Sequence, residues 1–256
     1  MTSIPSLFIS HGAPDLPIRR GSAQDFLRHL SNQLPMPRAI LVISAHWLTR
    51  EPVFSCAAQP DTIYDFGGFP EELCRLRYPA PGAPHLADQV VGRLSEAGFP
   101  TKTHASRGLD HGAWTPLILT YPDATIPTAQ LSLQPLQTPE YHLRLGKALA
   151  PLRQEGVLIV GSGAATHNLG AFGAAYDAPP PEWAVAFDQW LADAIAQGDI
   201  TSLLTYREKA PYAVQNHPTD EHLLPLFVAL GAGGRGQVLH RSFTYGAFSM
   251  ASYAFD

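Results

Sequence analysis

Four short apolar runs, Ser6–Ser10, Ala39–Ser44, Thr128–Leu133 and Val157–Gly161, alternate along the chain with helical periodicity at Ala23–Gln33, His85–Ala97, Pro139–Leu152 and Glu182–Ala196. This alternation constrains the fold more than any other feature. A strand that is apolar on both sides of its pleat must be covered on both faces, and helices returning between successive strands provide that cover. Pro139 and Pro181 stand at or just before helix starts, where a missing N–H does no harm. Two further strands are expected near Gln237–Arg241 and Phe248–Ala254. The expected fold class is α/β, with a central, mostly parallel or mixed sheet flanked by helices on both faces. Proline-rich joints at Tyr78–Gly82 and Ala178–Pro181 read as loops, and neither flanks a composition shift. One domain over residues 1–256 is the resulting expectation.

Three of the strands end alike. Leu7-Phe8-Ile9-Ser10 runs into His11, and Ile40-Leu41-Val42-Ile43-Ser44-Ala45 runs into His46. Val157-Leu158-Ile159-Val160 passes the small residues Gly161–Thr166 and delivers His167. A single histidine at a strand end is ordinarily a core or surface residue bonded to a loop carbonyl. Repetition on three strands points instead to a shared crevice, because ligands of open α/β sheets bind outside the carboxyl ends of the strands.

Two other histidine clusters have local context. Leu109-Asp110-His111-Gly112 opens an apolar run, Trp114–Tyr121, which would place Asp110 or His111 at a helix N-terminus. A capping Asp110 beside a solvent-facing His111 is the plainer alternative. Asn216-His217-Pro218-Thr219-Asp220-Glu221-His222 enters a second apolar helix. On an ideal helix Glu221 and His222 point about 100° apart, so one of them, not both, is expected to reach the crevice. His217 is left undecided. His29, His85, His104, His142 and His240 receive no role, and His29 and His142 are expected to be solvated on their helices.

The chain has eleven histidines but only two cysteines, Cys56 and Cys74. These are too few for a disulfide framework or a thiolate cluster, and they read as reduced thiols in a cytoplasmic protein. The charge, 17 − 22 = −5, offers no basic footprint for nucleic acid. No apolar stretch approaches the roughly 20 residues that span a bilayer, so a soluble protein with no membrane partner is expected. The sequence also lacks His-Glu-x-x-His and Gly-x-Ser-x-Gly. Gly161-Ser162-Gly163 lacks the third glycine of a dinucleotide loop and the Lys-Ser/Thr of a P-loop, and Ser162 as a nucleophile beside His167 has no evident acid partner. What remains is a crevice rich in imidazole, suited to Zn²⁺ or to non-haem Fe(II).

Seven ordered motifs carry a resemblance to a known family. They are Ile9-Ser10-His11-Gly12-Ala13-Pro14, Ile43-Ser44-Ala45-His46-Trp47, Tyr64-Asp65-Phe66-Gly67-Gly68-Phe69-Pro70, Tyr78-Pro79-Ala80-Pro81-Gly82, Leu109-Asp110-His111-Gly112, Thr166-His167-Asn168-Leu169 and Pro218-Thr219-Asp220-Glu221-His222. Together, from about residue 6 to beyond residue 250, they resemble the class III extradiol ring-cleavage dioxygenases of the DOPA 4,5-dioxygenase-like branch. The resemblance implies a mononuclear metal held by His11, His46 and His222, with Glu221 as the rival third ligand. It implies that His167 is the catalytic base, close enough to count as a possible fourth ligand, and that His111 contacts substrate or oxygen. Fe(II) is implied for activity, and Zn²⁺ is expected to compete for such a site during purification.

The leading expectation is therefore oxygen-dependent extradiol cleavage of a catechol-type ring, L-DOPA or a similar diol, with O₂ as co-substrate. Trp47, Tyr64 and Phe66 are candidates for walls around the ring, with core packing as their alternative role. A zinc hydrolase working through metal-bound hydroxide is the rival reaction, and a non-catalytic metal-binding domain is the third reading. Monomer and homo-oligomer are equally compatible with the sequence.

Overall fold

The computed structural model describes residues 3–256. Its strands are β1 (Ser6–Ser10), β2 (Ala39–Leu48), β3 (Val53–Ser55), β4 (Lys102–His104), β5 (Thr128–Leu133), β6 (Val157–Gly163), β7 (Gly236–His240), β8 (Phe243–Thr244), β9 (Phe248–Ser249) and β10 (Ser252–Phe255). Eight of them form one sheet in the order β4-β3-β5-β2-β6-β1-β10-β7, and β8 and β9 make a separate pair. The centre, β5-β2-β6-β1, is parallel throughout. Antiparallel pairings attach β3 to β5, β10 to β1 and β7 to β10, so the sheet is mixed.

The helices are α1 (Ser22–Leu30), α2 (Ala87–Glu96), α3 (His111–Thr120), α4 (Pro139–Leu149), α5 (Glu182–Gln197), α6 (Ile200–Leu204), α7 (Tyr206–Lys209), α8 (Ala213–Asn216) and α9 (Leu224–Ala232). Strand alternation divides the core into two layers. Phe8, Leu41, Ile43, Leu131 and Ile159 face one side, where Val90 of α2, Leu145 of α4, Leu191 of α5 and Phe227 of α9 pack. Leu7, Ile9, Ile40, Val42 and Val160 face the other, against Leu27 of α1 and Trp114 and Leu117 of α3. The result is a single α/β domain whose sheet is covered on both faces.

The expected elements are present, with informative differences. The 248–254 strand is two strands, β9 and β10, separated by Met250 and Ala251. β2 runs four residues past Ser44, to Leu48. His142 is not solvated: it is fully buried, because α4 is covered by α9 as well as by the sheet. His29 is exposed on α1, as its helix position implied. Among the described residues, no helix is long and apolar enough to cross a membrane.

Candidate metal centre and active site

Parallel pairing of β2, β6 and β1 brings their carboxyl ends together, and the chain leaves each end carrying an imidazole. His11 follows β1, His46 lies in the last turn of pleat of β2, and His167 follows β6 after a short loop. His222 arrives from the turn before α9. Its backbone lies so close to β6 that a Cβ on Gly163 would sit 2.0 Å from the His222 carbonyl oxygen. Gly112 fills the same need on the other side, since a Cβ there would meet Ser44 Oγ at 2.4 Å and His46 Cδ2 at 3.0 Å. The small residues noted around the histidines therefore serve close backbone approach.

Three Nε2 atoms converge. His46 Nε2 is 3.1 Å from His11 Nε2 and 3.3 Å from His222 Nε2. Imidazole nitrogens about 2.1 Å from one ion stand roughly 3.0–3.4 Å apart in octahedral to tetrahedral arrangements, so these spacings fit a shared metal. The ligand atoms of the three residues all lie within 4.8 Å of one another. The outward nitrogens of His11 and His222 are also hydrogen-bonded. His11 Nδ1 donates to Ser162 Oγ at 2.9 Å, and that hydroxyl donates to the Gly112 carbonyl at 2.5 Å. His222 Nδ1 donates to Glu221 Oε1 at 2.9 Å, and His46 Nδ1 faces Asp65 Oδ2 at 3.8 Å. In His11 and His222, holding the proton on Nδ1 leaves the Nε2 lone pair directed inward, which is how second partners orient metal-binding histidines.

The electrostatics favour neutral imidazoles. Burial, followed by the charges of the neighbouring histidines, pushes His11 and His222 well below the usual histidine range. Burial, then His111, pushes His46 down to about 3. Crowded imidazoles that cannot share protons are ready for a cation instead.

His111 and His167 flank this trio. His111 is the first residue of α3, whose N-cap is Asp110; the buried Asp110 carboxylate accepts from Ala113 N, Ser44 Oγ and Gln130 Nε2. His111 itself is fixed by Asp65, whose Oδ1 receives the backbone N–H at 3.0 Å and Nδ1 at 2.9 Å. Burial opposes ionisation of Asp65, but the hydrogen bonds and charge of His111, with His46 behind it, hold the carboxyl down at about 2. His167 stacks on His222 with ring centroids 3.4 Å apart and planes 9° apart, and its Nδ1 is 4.0 Å from Glu221 Oε1. It groups with Glu221 and His222 rather than with the three converging nitrogens. Burial pushes His167 down to about 4.

Several expectations need correction. Residues 217–223 form turns rather than an ideal helix, and of the pair Glu221 and His222, His222 lines the crevice whereas Glu221 does not. Glu221 then lies beside His222 as its hydrogen-bond acceptor. His217 is fully buried away from the cluster, with Nε2 bonded to the Ala165 carbonyl at 2.9 Å. Trp47 follows His46 on a strand, so alternation turns it to the opposite face, where it lies against Arg107, 5.1 Å from the ring centroid. Tyr64 packs against Trp114 and donates its hydroxyl to the Leu76 carbonyl at 2.7 Å. Neither lines the cavity; Phe66 does. Asp65, which fixes His111, has no sequence signal beyond its place within the Tyr64–Pro70 motif.

The histidines form the floor of a cavity of about 430 Å³. Phe66, Phe69, Phe172 and Phe248 supply much of its wall.

Comparison with known proteins completes the description. The family described as "Catalytic LigB subunit of aromatic ring-opening dioxygenase" matches residues 3–256. A protein named 4,5-DOPA dioxygenase extradiol from Beta vulgaris is 44% identical over 257 residues, spanning 98% of this chain and 96% of that protein. One of the same name from Escherichia coli (strain K12) is 39% identical over 234 residues, spanning 90% and 86%. The crystal structure of an uncharacterized protein from Escherichia coli K12 superposes with a TM-score of 0.84 at 33% identity, covering 99% of this chain and 100% of that one. The ordered motifs, the full-length relatives and the shared fold agree, and the chain belongs to the aromatic ring-opening dioxygenase family, in its extradiol, DOPA 4,5-dioxygenase-like branch.

Proposed function

We propose that this protein cleaves catechol-type diols at a mononuclear Fe(II) centre held by His11, His46 and His222, with His167 as base and His111 as the second reacting group. The observation that carries this reading is the convergence of three inward Nε2 atoms, 3.1 and 3.3 Å apart, on the floor of an aromatic-walled cavity. A ferrous ion there supplies Lewis acidity toward the diol oxygens and the redox capacity that dioxygen needs.

The protein's own residues do the rest. His167 is neutral near pH 7, since burial holds it down at about 4, so it has a lone pair to accept a phenolic proton. Glu221, 4.0 Å from Nδ1, balances the imidazolium that forms. His111 gives its Nδ1–H to Asp65, so its Nε2 becomes a donor only in the imidazolium form, for which the ionised Asp65 is the counter-charge. Phe66, whose ring centroid lies 5.7 Å from that of His111, packs its edge beside the reacting ring and excludes water. Fe(II) is the active metal in this reading, with Zn²⁺ able to occupy the same nitrogens. A cytoplasmic setting is supported by Cys56 and Cys74, both free thiols.

The test is to load metal-free protein anaerobically with Fe(II), add L-DOPA and a panel of catechols, and admit air. A yellow semialdehyde is expected from at least one diol. No such product from any diol, with iron bound, overturns the proposal. Ester or amide hydrolysis by the Zn²⁺ form without oxygen would establish the hydrolase instead.

A further inference from the structure

Above its histidine floor the cavity wall is hydrocarbon. Pro14, Phe66, Phe69, Leu169, Phe172 and Phe248 line it, and among the described residues no Lys, Arg, Asp or Glu does. The two nearby carboxylates are engaged with imidazoles, Asp65 with His111 and Glu221 with His222. The apolar character continues to the mouth. Phe69 and Phe172, from two separate loops, approach with ring centroids 6.3 Å apart, and Phe172 also packs on Phe248 at 5.7 Å. Leu169 is 67% exposed and Phe172 42% exposed. Large apolar side chains left in water around a cavity mark a surface meant to be covered by an apolar ligand. A volume of about 430 Å³ has room for a ring and a substituent.

We propose that the preferred diols of this protein are catechols with an uncharged, apolar ring substituent, and that the zwitterionic tail of an amino acid is selected against. The inference rests on the catechol-cleaving reading of the same site. An ammonium or carboxylate entering this cavity sheds hydration and finds no partner of opposite charge on the wall. An alkyl tail in the same position removes apolar surface from water on both sides.

The test compares 4-propylcatechol with L-DOPA, flanked by dopamine and 3,4-dihydroxyphenylpropionate to separate the two charges. Calorimetric binding to the Zn²⁺-loaded protein gives affinity without turnover, and kcat/KM of the Fe(II) form gives the catalytic preference. The propyl compound is expected to lead L-DOPA by on the order of tenfold or more in both, mainly through Kd and KM. The two singly charged diols are expected to fall below the propyl compound. Equal or better binding of any charged diol overturns the proposal, and so does the absence of binding by all four. Leu169→Arg, at an exposed position, is expected to raise the propionate-to-propyl ratio several-fold; an unchanged ratio would contradict placement of the tail at the rim. If the Fe(II) form cleaves none of the diols, the ring-cleavage reading fails, while binding to the Zn²⁺ form still decides the tail preference.

Discussion

Asp65 and Glu221 stand on opposite sides of the histidine cluster, and each lies between one of the three converging imidazoles and one that flanks them. Their grips are reversed. Asp65 bonds the flanking His111 at 2.9 Å and stands 3.8 Å from the converging His46. Glu221 bonds the converging His222 at 2.9 Å and stands 4.0 Å from the flanking His167. The tight contacts fix the directions of His111 and His222, and the looser contact of Glu221 balances the charge that His167 gains and loses. On this account Asp65 serves chiefly the reacting group and Glu221 chiefly the metal. His167 remains without a side-chain hydrogen bond among the described residues, which suits a group that must accept a proton.

The largest expected effect is the loss of a converging nitrogen. His46→Ala should leave metal content near zero and lower ring cleavage by at least roughly a thousandfold; full metal content would show that the trio is not the ligand set. Next comes His167→Ala, which should reduce kcat by about 10²–10⁴-fold while metal stays bound. Loss of metal in that variant would make His167 a ligand.

The paired carboxylate variants sharpen the contrast directly. Glu221→Gln should weaken metal affinity by roughly 10–100-fold, measured by competition with a chelator. Asp65→Asn should keep most of the metal affinity and lower kcat at saturating metal by a similar factor. If the two variants exchange these behaviours, the reversed grips have been misassigned.

The smallest effect concerns stability. His142 is buried under α9, its Nδ1 donates to the Thr138 carbonyl, and its Nε2 has no hydrogen-bond partner among the described residues. Burial pushes its pKa from 6.5 down to about 4. The unfolded chain therefore takes up a proton below pH 6.5 that the folded protein refuses until about 4, so this contribution is complete above pH 6.5 and lost as pH falls toward 4. In denaturant titrations of metal-free protein, His142→Leu should flatten that decline by about 2–3 kcal/mol. An unchanged pH slope would contradict the burial argument.

The layered α/β fold was legible because its signals are local. Val157–Val160 and Ile40–Ile43 are apolar throughout, which only a strand covered on both faces tolerates. His11, His46 and His167 were legible for the same reason, since each follows a strand that could be recognised. His111 and the Glu221–His222 pair were legible as candidates from their local motifs, and resemblance to a family supplied their roles. The errors arose where structure is set by distant contacts. Residues 217–223 form turns rather than a helix, and the turn sets Glu221 behind His222 as its hydrogen-bond acceptor instead of on a separate helical face. Trp47 was misplaced because β2 continues beyond Ser44, and one more residue of pleat reverses its side. Asp65 is 46 residues from His111 along the chain, and no periodicity connects a loop carboxylate to a helix start so far away.

The central claim is that three imidazoles hold the metal while both carboxylates act from behind them. Anomalous diffraction at the metal edge, from crystals of the loaded protein, tests it most directly. The account predicts one peak within about 2.3 Å of Nε2 of His11, His46 and His222, with Glu221 and Asp65 oxygens outside bonding distance. A peak bonded to Glu221 or Asp65 oxygen, or one displaced from the three nitrogens, would contradict it.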